Sequence, residues 1–179
     1  MASNISPILL GLLRPEEAEA LVELAGRVWR AHYPGIITPR QIEYMLESRY
    51  RPALVRQYLA RGDLWLAARV STAQCDRLGA EDLVGYAHGE PLADGDYKLD
   101  QLYVDLEWQR QGIGGALIRE VAARAARRGH TRLVLRVNRQ NQSAIDAYLK
   151  HGFTVSTIHL EDIGGGFVMD DYVMTKDLP

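Results

Sequence analysis

The sequence predicts a single domain of the mixed α/β class, and three observations lead to this prediction. The chain has 179 residues, 47% of them hydrophobic and 25% charged, which is typical of one compact domain and excludes a disordered or collagen-like chain. Hydrophobic residues recur at helical spacing in the first third and alternate with polar residues in the middle. The last part then alternates between predicted strands and predicted helices, without a linker or an internal repeat. We therefore predict one domain over residues 1–179.

Three predicted helices dominate the first third of the chain. Pro15 begins the first of them, because proline is tolerated in a first turn and the carboxylates of Glu16 and Glu17 favour the positive end of the helix dipole. In chain order, the elements predicted here are a strand at 8–13, a helix that ends near 32–35, a helix after Pro39 and a helix at 52–60.

Strands dominate the rest, because the hydrophobic period changes from helical to alternating after Asp63. The predicted elements are strands at 64–70, 83–89 and 97–104, a helix at 112–128, a strand at 131–137, a helix at 141–150, and strands at 153–158 and 167–175. The last two strands are separated by a loop of three glycines, Gly164 to Gly166.

Charge and cysteine content restrict the function to a local site. The 21 basic and 23 acidic residues leave a formal net charge of −2, so no global field favours nucleic acid or an anionic membrane as a partner. Cys75 is the only cysteine, which excludes an intramolecular disulfide and a cysteine-rich zinc site and is typical of a reducing compartment. The pattern predicts a cytoplasmic protein without a signal peptide, a membrane span or a metal site.

The most informative segment is a glycine-rich turn between a predicted strand and a predicted helix. Unpaired N–H groups at a helix start bind phosphate, and glycines let an anion approach the backbone. A Walker A loop needs Gly-Lys-Ser/Thr where this chain has Gly114-Gly115-Ala116, and a dinucleotide-binding turn needs a third glycine where Leu117 stands. Nucleoside triphosphates and NAD are therefore not favoured. In isolation the glycines could also serve only to shape a tight turn.

Three motifs in this part of the chain resemble the GCN5-related N-acetyltransferase (GNAT) superfamily. The turn Gln109 to Gly114 matches its Gln/Arg-x-x-Gly-x-Gly/Ala signature, and Leu102-Tyr103-Val104 matches its central strand. Asn141, Ala144 and Tyr148 match its Asn-x-x-Ala-x-x-x-Tyr helix, which a Gly-Phe pair follows at 152–153. The resemblance implies a central mixed sheet of about six to seven strands, flanked by helices and splayed at the cofactor-binding strands. It also implies acetyl-CoA as the cofactor.

The resemblance carries over to individual cofactor-binding positions. It implies that a free N–H at Tyr103 or Val104 meets the thioester oxygen, and that Arg110 adds charge beside the coenzyme A pyrophosphate. The positions implied are Leu102, Tyr103, Val104, Gln109, Arg110, Gln111, Gly112, Ile113, Gly114, Gly115, Ala116, Asn141, Ala144 and Tyr148. Tyr148 is also the predicted proton donor to the departing sulfur, although a tyrosine there could instead be a core residue. Asn141 could also cap its helix.

The group that takes a proton from the amine is less well determined. Asp100 is a candidate because it precedes the cofactor positions and shares a face with Leu102 and Val104 by strand alternation. Glu90 and His88 are candidates because they end the previous strand. Relatives often carry a glutamate near the start of this strand, where Lys98 stands in this chain. This difference leaves proton loss through water open as an alternative.

The predicted helices after Trp29 supply the candidate substrate-binding residues, namely Trp29, Tyr33, Ile37 and Tyr44. This stretch resembles that of polyamine-type or small-amine acetyltransferases, so the expected substrate is a primary amine of a small polyamine-like molecule or of a peptide. We also expect a homodimer, because members of the family that the chain resembles often form dimers. A non-catalytic acyl-CoA sensor of the same fold is the alternative. A local arginine cluster at 124–132 is explained by an exposed helix end, so no nucleic-acid partner is predicted.

Overall fold

A computed structural model describes residues 8–71 and 81–179, and Cys75 lies outside these ranges. Its N-terminal elements are one strand and three helices: β1 (Ile8–Leu12), α1 (Ala18–His32), α2 (Pro39–Arg49) and α3 (Pro52–Arg61). A short 3-10 turn at Pro15–Glu17 precedes α1. Thr38 caps α2 by accepting a hydrogen bond from the Gln41 N–H at 3.2 Å. The predicted order of elements is confirmed here.

The remaining helices and strands follow in the predicted order. They are β2 (Leu64–Ser71), β3 (Glu81–Pro91), β4 (Tyr97–Val104), α4 (Ile113–Arg127), β5 (Arg132–Asn138), α5 (Gln142–Lys150), β6 (Thr154–Gly164) and β7 (Phe167–Asp177). The prediction ended β6 at residue 158, but the strand continues to Gly164. Alternation is lost over 159–164, and cross-strand pairing with β7 extends the strand instead.

The seven strands form one mixed sheet in the order β1-β2-β3-β4-β5-β7-β6. Every neighbouring pair in this order is antiparallel except β4 and β5, which run parallel. These two strands pair only at Tyr97 with Leu133 and at Lys98 with Val134. Beyond these positions they separate, so the predicted splay of the sheet is confirmed.

Both faces of the sheet are covered by apolar packing. On one face, α4 buries Leu117 and Val121 against strand residues such as Leu66 and Leu133. On the other face, α1, α2 and α3 enclose a second apolar cluster that contains the aromatic residues Trp29, Trp65 and Tyr86. Within the described ranges, no helix is long and apolar enough to cross a membrane. The two layers leave an opening where β4 and β5 diverge.

Candidate active site

A cleft of about 1270 Å³ opens at the separated ends of β4 and β5. It collects most of the predicted site residues, namely Trp29, Tyr33, Tyr44, Asp100, Leu102, Tyr103, Val104, Gln109, Arg110, Gly112, Ile113, Gly114, Gly115, Asn141, Ala144 and Tyr148. Five predicted residues do not line it. Ile37 lines a neighbouring pocket of about 420 Å³, and His88, Glu90, Gln111 and Ala116 also lie outside the lining of the large cleft.

The turn before α4 presents a row of unpaired backbone donors. Among the described residues, no acceptor pairs with the N–H groups of residues 110–115, and the helical ladder begins with Ala116 N–H donating to Gly112 C=O at 3.0 Å. Arg110 has φ 63° and Gly112 has φ 83°, so two residues of the turn are left-handed. Such alternation makes a concave nest of N–H groups, which together with the helix dipole favours an anion. Gln109 Nε2 donates to Val104 C=O at 3.0 Å and ties the turn to β4.

The unpaired edge of β4 continues from this nest into the cleft. Residues 99–104 have no partner on β5, while β3 pairs with the opposite edge of the strand. Because an antiparallel ladder uses the N–H and C=O of alternate residues, the others direct theirs toward the gap. An extended group with amide donors and acceptors could therefore pair with this edge as an added strand would. The nest and the edge together fit a chain that ends in a pyrophosphate.

Tyr148 lies on α5 with its ring against the core and its hydroxyl available to the cleft. The ring contacts Phe153 edge-on, with centroids 5.6 Å apart. Burial raises the pKa of its hydroxyl well above the usual value, so the group stays protonated. No residue in the described ranges forms a hydrogen bond with this hydroxyl. The ring of Tyr148 thus packs in the core, while its hydroxyl has no hydrogen-bond partner in the described chain.

Asn141 caps the start of α5, as its position in the sequence allows. The side chain is buried, and its Oδ1 accepts from Ala144 N–H at 3.3 Å and from Ser143 Oγ at 3.2 Å. His32 Nε2 lies 3.1 Å from the same oxygen. Asn141 therefore fixes the start of α5, and with it the position of Tyr148 about two turns further on.

Asp100 lies in the cleft as an ion-paired carboxylate. Arg49 Nη2 is 2.5 Å from its Oδ2, Lys98 Nζ is 2.6 Å from its Oδ1, and His88 Nδ1 is 3.4 Å from its Oδ2. Burial alone would raise the pKa of Asp100, but the hydrogen bond to His88 and the charges of Arg49 and Lys98 hold it well below its usual range. Such a carboxylate is a weak proton acceptor, so its surroundings fit an electrostatic role better than that of a base.

Glu90 and His88 belong to a buried polar cluster beside the cleft. Glu90 Oε2 lies 3.1 Å from Arg61 Nη2, which also pairs with Asp63 Oδ2 at 2.5 Å. The ring of His88 stacks on Trp65, with centroids 4.4 Å apart, and its Nε2 faces Asp63 Oδ2 at 3.2 Å. Both candidate bases are thus held by neighbours on the strands and on α3.

Aromatic side chains from α1 and β4 form one wall of the cleft. Trp29 and Tyr33 stack with centroids 4.3 Å apart, and the hydroxyls of Tyr33 and Tyr103 are 3.0 Å apart. Burial raises the pKa of Tyr33, so its hydroxyl stays neutral. Tyr44 donates from its hydroxyl to Ile163 C=O at 2.7 Å and joins α2 to the end of β6. A Cβ at Gly165 would lie 2.9 Å from the Tyr44 ring, so this glycine allows the close approach.

The structure adds Asp171, a cleft residue that the sequence analysis did not identify. Asp171 lies on β7, opposite Asn138 of β5 and His159 of β6. It is 6% exposed, and no described residue forms a hydrogen bond with its carboxylate. Burial raises its pKa to about 6. The signal that could have found it is the alternation of the closing strand, which puts a charged residue on the same face as Met169 and Val173.

Comparison with known proteins gives a consistent result. The Acetyltransferase (GNAT) family model matches residues 39–153. An uncharacterised N-acetyltransferase of Mycobacterium tuberculosis is 29% identical over 162 residues, which cover 90% of this chain and 98% of the relative. A spermidine N(1)-acetyltransferase of Thermoplasma acidophilum is 27% identical over 161 residues, which cover 90% of this chain and 91% of that protein.

Solved structures resemble the whole fold. The crystal structure of the PaiA N-acetyltransferase from Thermoplasma acidophilum in complex with coenzyme A has a TM-score of 0.78 and 26% identity, with 96% of this chain and 99% of that chain covered. A GCN5-related N-acetyltransferase from Rhodopseudomonas palustris has a TM-score of 0.75 at 22% identity, with 99% and 100% covered, and supports the fold alone.

Proposed function

The chain belongs to the acetyltransferase (GNAT) family, and from this membership we propose that it transfers the acetyl group of acetyl-CoA to a primary amine of a small, polyamine-like molecule. Acetyl-CoA is the cofactor of the family, and a similar protein has been solved with coenzyme A. The observation that carries the proposal is one continuous cleft, which joins the N–H nest at 110–115 to the unpaired edge of β4 and to the aromatic wall. Donor and acceptor can therefore meet in one cavity.

The cofactor would be held mainly by backbone groups. In this proposal the N–H groups of 110–115 bind the pyrophosphate, and Arg110 adds a positive charge at the mouth of the cleft. The edge of β4 pairs with the pantetheine arm, and an N–H of Tyr103 or Val104 donates to the thioester oxygen. When bound, acetyl-CoA supplies an acetyl group activated as a thioester. Asn141 and Ala144 set the start of α5 against the same cavity.

Tyr148 would return a proton to the sulfur. Its hydroxyl is protonated throughout the physiological range because burial raises its pKa. No neighbour in the described chain competes for its hydrogen. General acid catalysis of this kind contributes roughly 10²- to 10⁴-fold to a rate.

Two observations support an amine acceptor that carries positive charge. Glu161, Asp162 and Asp171 line the same cleft as the aromatic residues Trp29 and Tyr33. In addition, the 27% identity to a spermidine N(1)-acetyltransferase extends over 90% of this chain. A polyamine-like molecule fits both observations. Tyr44, which lines the cleft, and Ile37, which lines the smaller pocket beside it, would then both border the bound molecule.

The test is acetylation of an amine panel, with coenzyme A release and acetylated product measured together. The panel contains spermidine, spermine, putrescine, single amino acids and peptides with a free N-terminus. Product from polyamines at higher kcat/KM than from peptides supports the proposal. Faster transfer to peptides refutes the acceptor class, and binding of acetyl-CoA without transfer to any amine would favour a non-catalytic acyl-CoA sensor.

The proposal also covers the location, the domain organisation and the oligomeric state of the protein. We propose a cytoplasmic location, a single domain over 1–179 and a homodimer. Cell fractionation, limited proteolysis and light scattering would measure them one by one. A membrane-bound fraction, a stable proteolytic half or a monomeric mass would contradict the respective statement.

A further inference from the structure

We propose that Asp171 is the catalytic residue that takes the proton from the acceptor amine. The inference rests on the proposed acetyl transfer and assigns a role that the three candidates from the sequence, Asp100, Glu90 and His88, fill poorly. Asp100 is fixed between Arg49 and Lys98. Glu90 is outside the cleft, and His88 is enclosed by stacked rings and carboxylates.

The position of Asp171 fits contact with a substrate. The side chain lines the cleft, yet only 6% of the residue is exposed, and its Oδ1 is buried without a hydrogen-bond donor from the described chain. Its charge acts on the hydroxyl of Tyr33, which belongs to the aromatic wall. Tyr33 also interacts with Tyr148, the proposed proton donor. Asp171, Tyr33 and Tyr148 thus all line the same cleft.

A structural role does not account for this carboxylate. A buried charge without a donor lowers the stability of a fold, and an apolar residue would pack there at lower cost. Arg136 could neutralise it but donates to Glu161 instead, with 2.6 Å between Nη1 and Oε2. Asp171 lines the cleft and receives no hydrogen bond from the described chain, so its carboxylate is left for a donor that enters the cleft. An ammonium group is a donor of the required charge.

The groups around Asp171 set the pH range of the proposed role. Burial raises its pKa to about 6, while Arg136 from β5 and His159 from β6 act in the opposite direction. Glu161 from β6 and Asp170 from β7 reinforce the rise. From α1, Tyr33 faces it as a neutral hydroxyl. A base whose pKa is near the working pH accepts a proton more readily than the strongly acidic Asp100 does.

The proton balance of the step is as follows. One proton of the acceptor ammonium passes to a carboxylate oxygen of Asp171, and the nitrogen lone pair then attacks the acetyl carbon. As the N–C bond forms and the C–S bond breaks, the nitrogen releases its second proton to solvent. The sulfur receives a proton from the Tyr148 hydroxyl, which solvent restores. Asp171 returns its proton to solvent, so one amide, one thiol and one net proton are produced.

The experiment compares D171N, D171E and the matched control D177N in full-length protein. Asp177 ends the same strand, is exposed, and lines neither the cleft nor the smaller pocket. With spermidine as acceptor, kcat and KM are measured from pH 5 to 9, and coenzyme A affinity is measured by calorimetry. We expect D171N to lower kcat by roughly 10²-fold or more and to lose the acidic limb near pH 6. D171E should regain part of the rate, and D177N should behave as the wild type.

Direct titration gives a readout besides turnover. The carboxyl carbon of Asp171, assigned by its absence in D171N, should titrate near pH 6 in a ¹³C NMR series. The inference is overturned if D171N raises only KM, if the acidic limb persists in D171N, or if the carboxyl titrates near 4. Unchanged coenzyme A affinity shows that each variant is folded. If the wild type acetylates no amine, the proposed function fails instead, and the NMR midpoint still tests the state of Asp171.

Discussion

Asp100 and Asp171 show how neighbouring groups give one residue type two different chemistries. Asp100 is surrounded by Arg49, Lys98 and His88, and these groups outweigh the effect of burial on its pKa. Asp171 is buried to a similar degree without a hydrogen-bond donor from the described residues, so burial determines its pKa. The first is a permanent charge, and the second can exchange a proton near neutral pH.

Removal of the Asp171 charge should stabilise the protein. A native pKa of about 6, compared with 3.8 for the free group, means that the folded state holds its proton more strongly between these values. Stability is therefore lost as pH rises from about 4 to 6, by roughly 3 kcal/mol in total. We expect D171N to unfold at higher urea concentration than the wild type at pH 8, with the difference vanishing near pH 4. Equal midpoints at pH 8 would contradict the buried, unpaired state.

Tyr148→Phe tests the proposed proton donor. The substitution keeps the ring contact with Phe153 and removes only the hydroxyl, which has no hydrogen-bond partner in the described chain. We expect kcat to fall by roughly 10²-fold while coenzyme A affinity and thermal stability stay unchanged. Steady-state kinetics and calorimetry measure these quantities. Full activity of the variant would remove Tyr148 from the mechanism and would fit a purely structural tyrosine.

At the level of elements, the start of α4 and the edge of β4 form the part of the site that depends least on side chains. The nest at 110–115 needs left-handed backbone at Arg110 and Gly112. The gap beside β4 results from parallel pairing with β5 that ends at Lys98 and Val134. Both features present unpaired N–H groups, so side-chain substitutions should disturb them less than changes in backbone conformation.

Gly112→Ala, with Gly129→Ala as its control, tests the nest. The two glycines flank α4 with φ of 83° and 87°, and an added Cβ would have open space at both positions. Each substitution should cost about 1 kcal/mol of stability, because L-residues disfavour this conformation. We expect only G112A to weaken coenzyme A binding, by about tenfold or more, since only that turn is proposed to bind the pyrophosphate. Isothermal titration calorimetry measures the affinity of both variants for coenzyme A. Equal affinities would exclude the nest as the anion site.

At the level of the whole molecule, an ion-paired carboxylate outside the cleft, Glu17, contributes to the response to acid. Glu17 follows β1, and its carboxylate pairs with the buried Arg69 of β2 at 2.6 Å and with Arg14 at 2.8 Å. Burial alone would raise the pKa of Glu17, but the hydrogen bonds from Arg69 and Arg14 lower it to about 2. This pairing connects the first helix to the edge of the sheet.

Glu17→Gln should therefore destabilise the protein at neutral pH. Because the native pKa is depressed, the contribution of Glu17 is present above about pH 4.5 and is lost as pH falls toward 2. We expect a loss of roughly 3 kcal/mol at pH 7, measured by urea denaturation, and a smaller loss at pH 3. Glu16→Gln is the control, since that side chain is 71% exposed and its ion pair with Arg14 spans 3.8 Å. Equal stability of the two variants at pH 7 would contradict the assignment.

Much of the fold could be predicted from the sequence because its signals are local. Helical spacing and strand alternation identified the elements, and the parallel crossover from β4 through α4 to β5 follows from a strand, a helix and a strand in succession. The end of β6 was predicted too early, because residues 159–164 lack the alternation of a strand and extend it by pairing with β7. Local periodicity does not contain that information.

The candidate site, like the fold, could be predicted only in part from the sequence. The sequence by itself determined the family resemblance, the glycine turn before α4, and Tyr148 on the helix that Asn141 caps, because each depends on residues close together in the chain. Only the tertiary structure decided which carboxylates face the cleft and in what state. Asp100 is ion-paired by Arg49 of a distant helix, and Asp171 is buried without a hydrogen-bond donor from the described chain. The physical reason is that a pKa depends on burial and on charges brought together from several elements, whereas a backbone turn depends on its own residues.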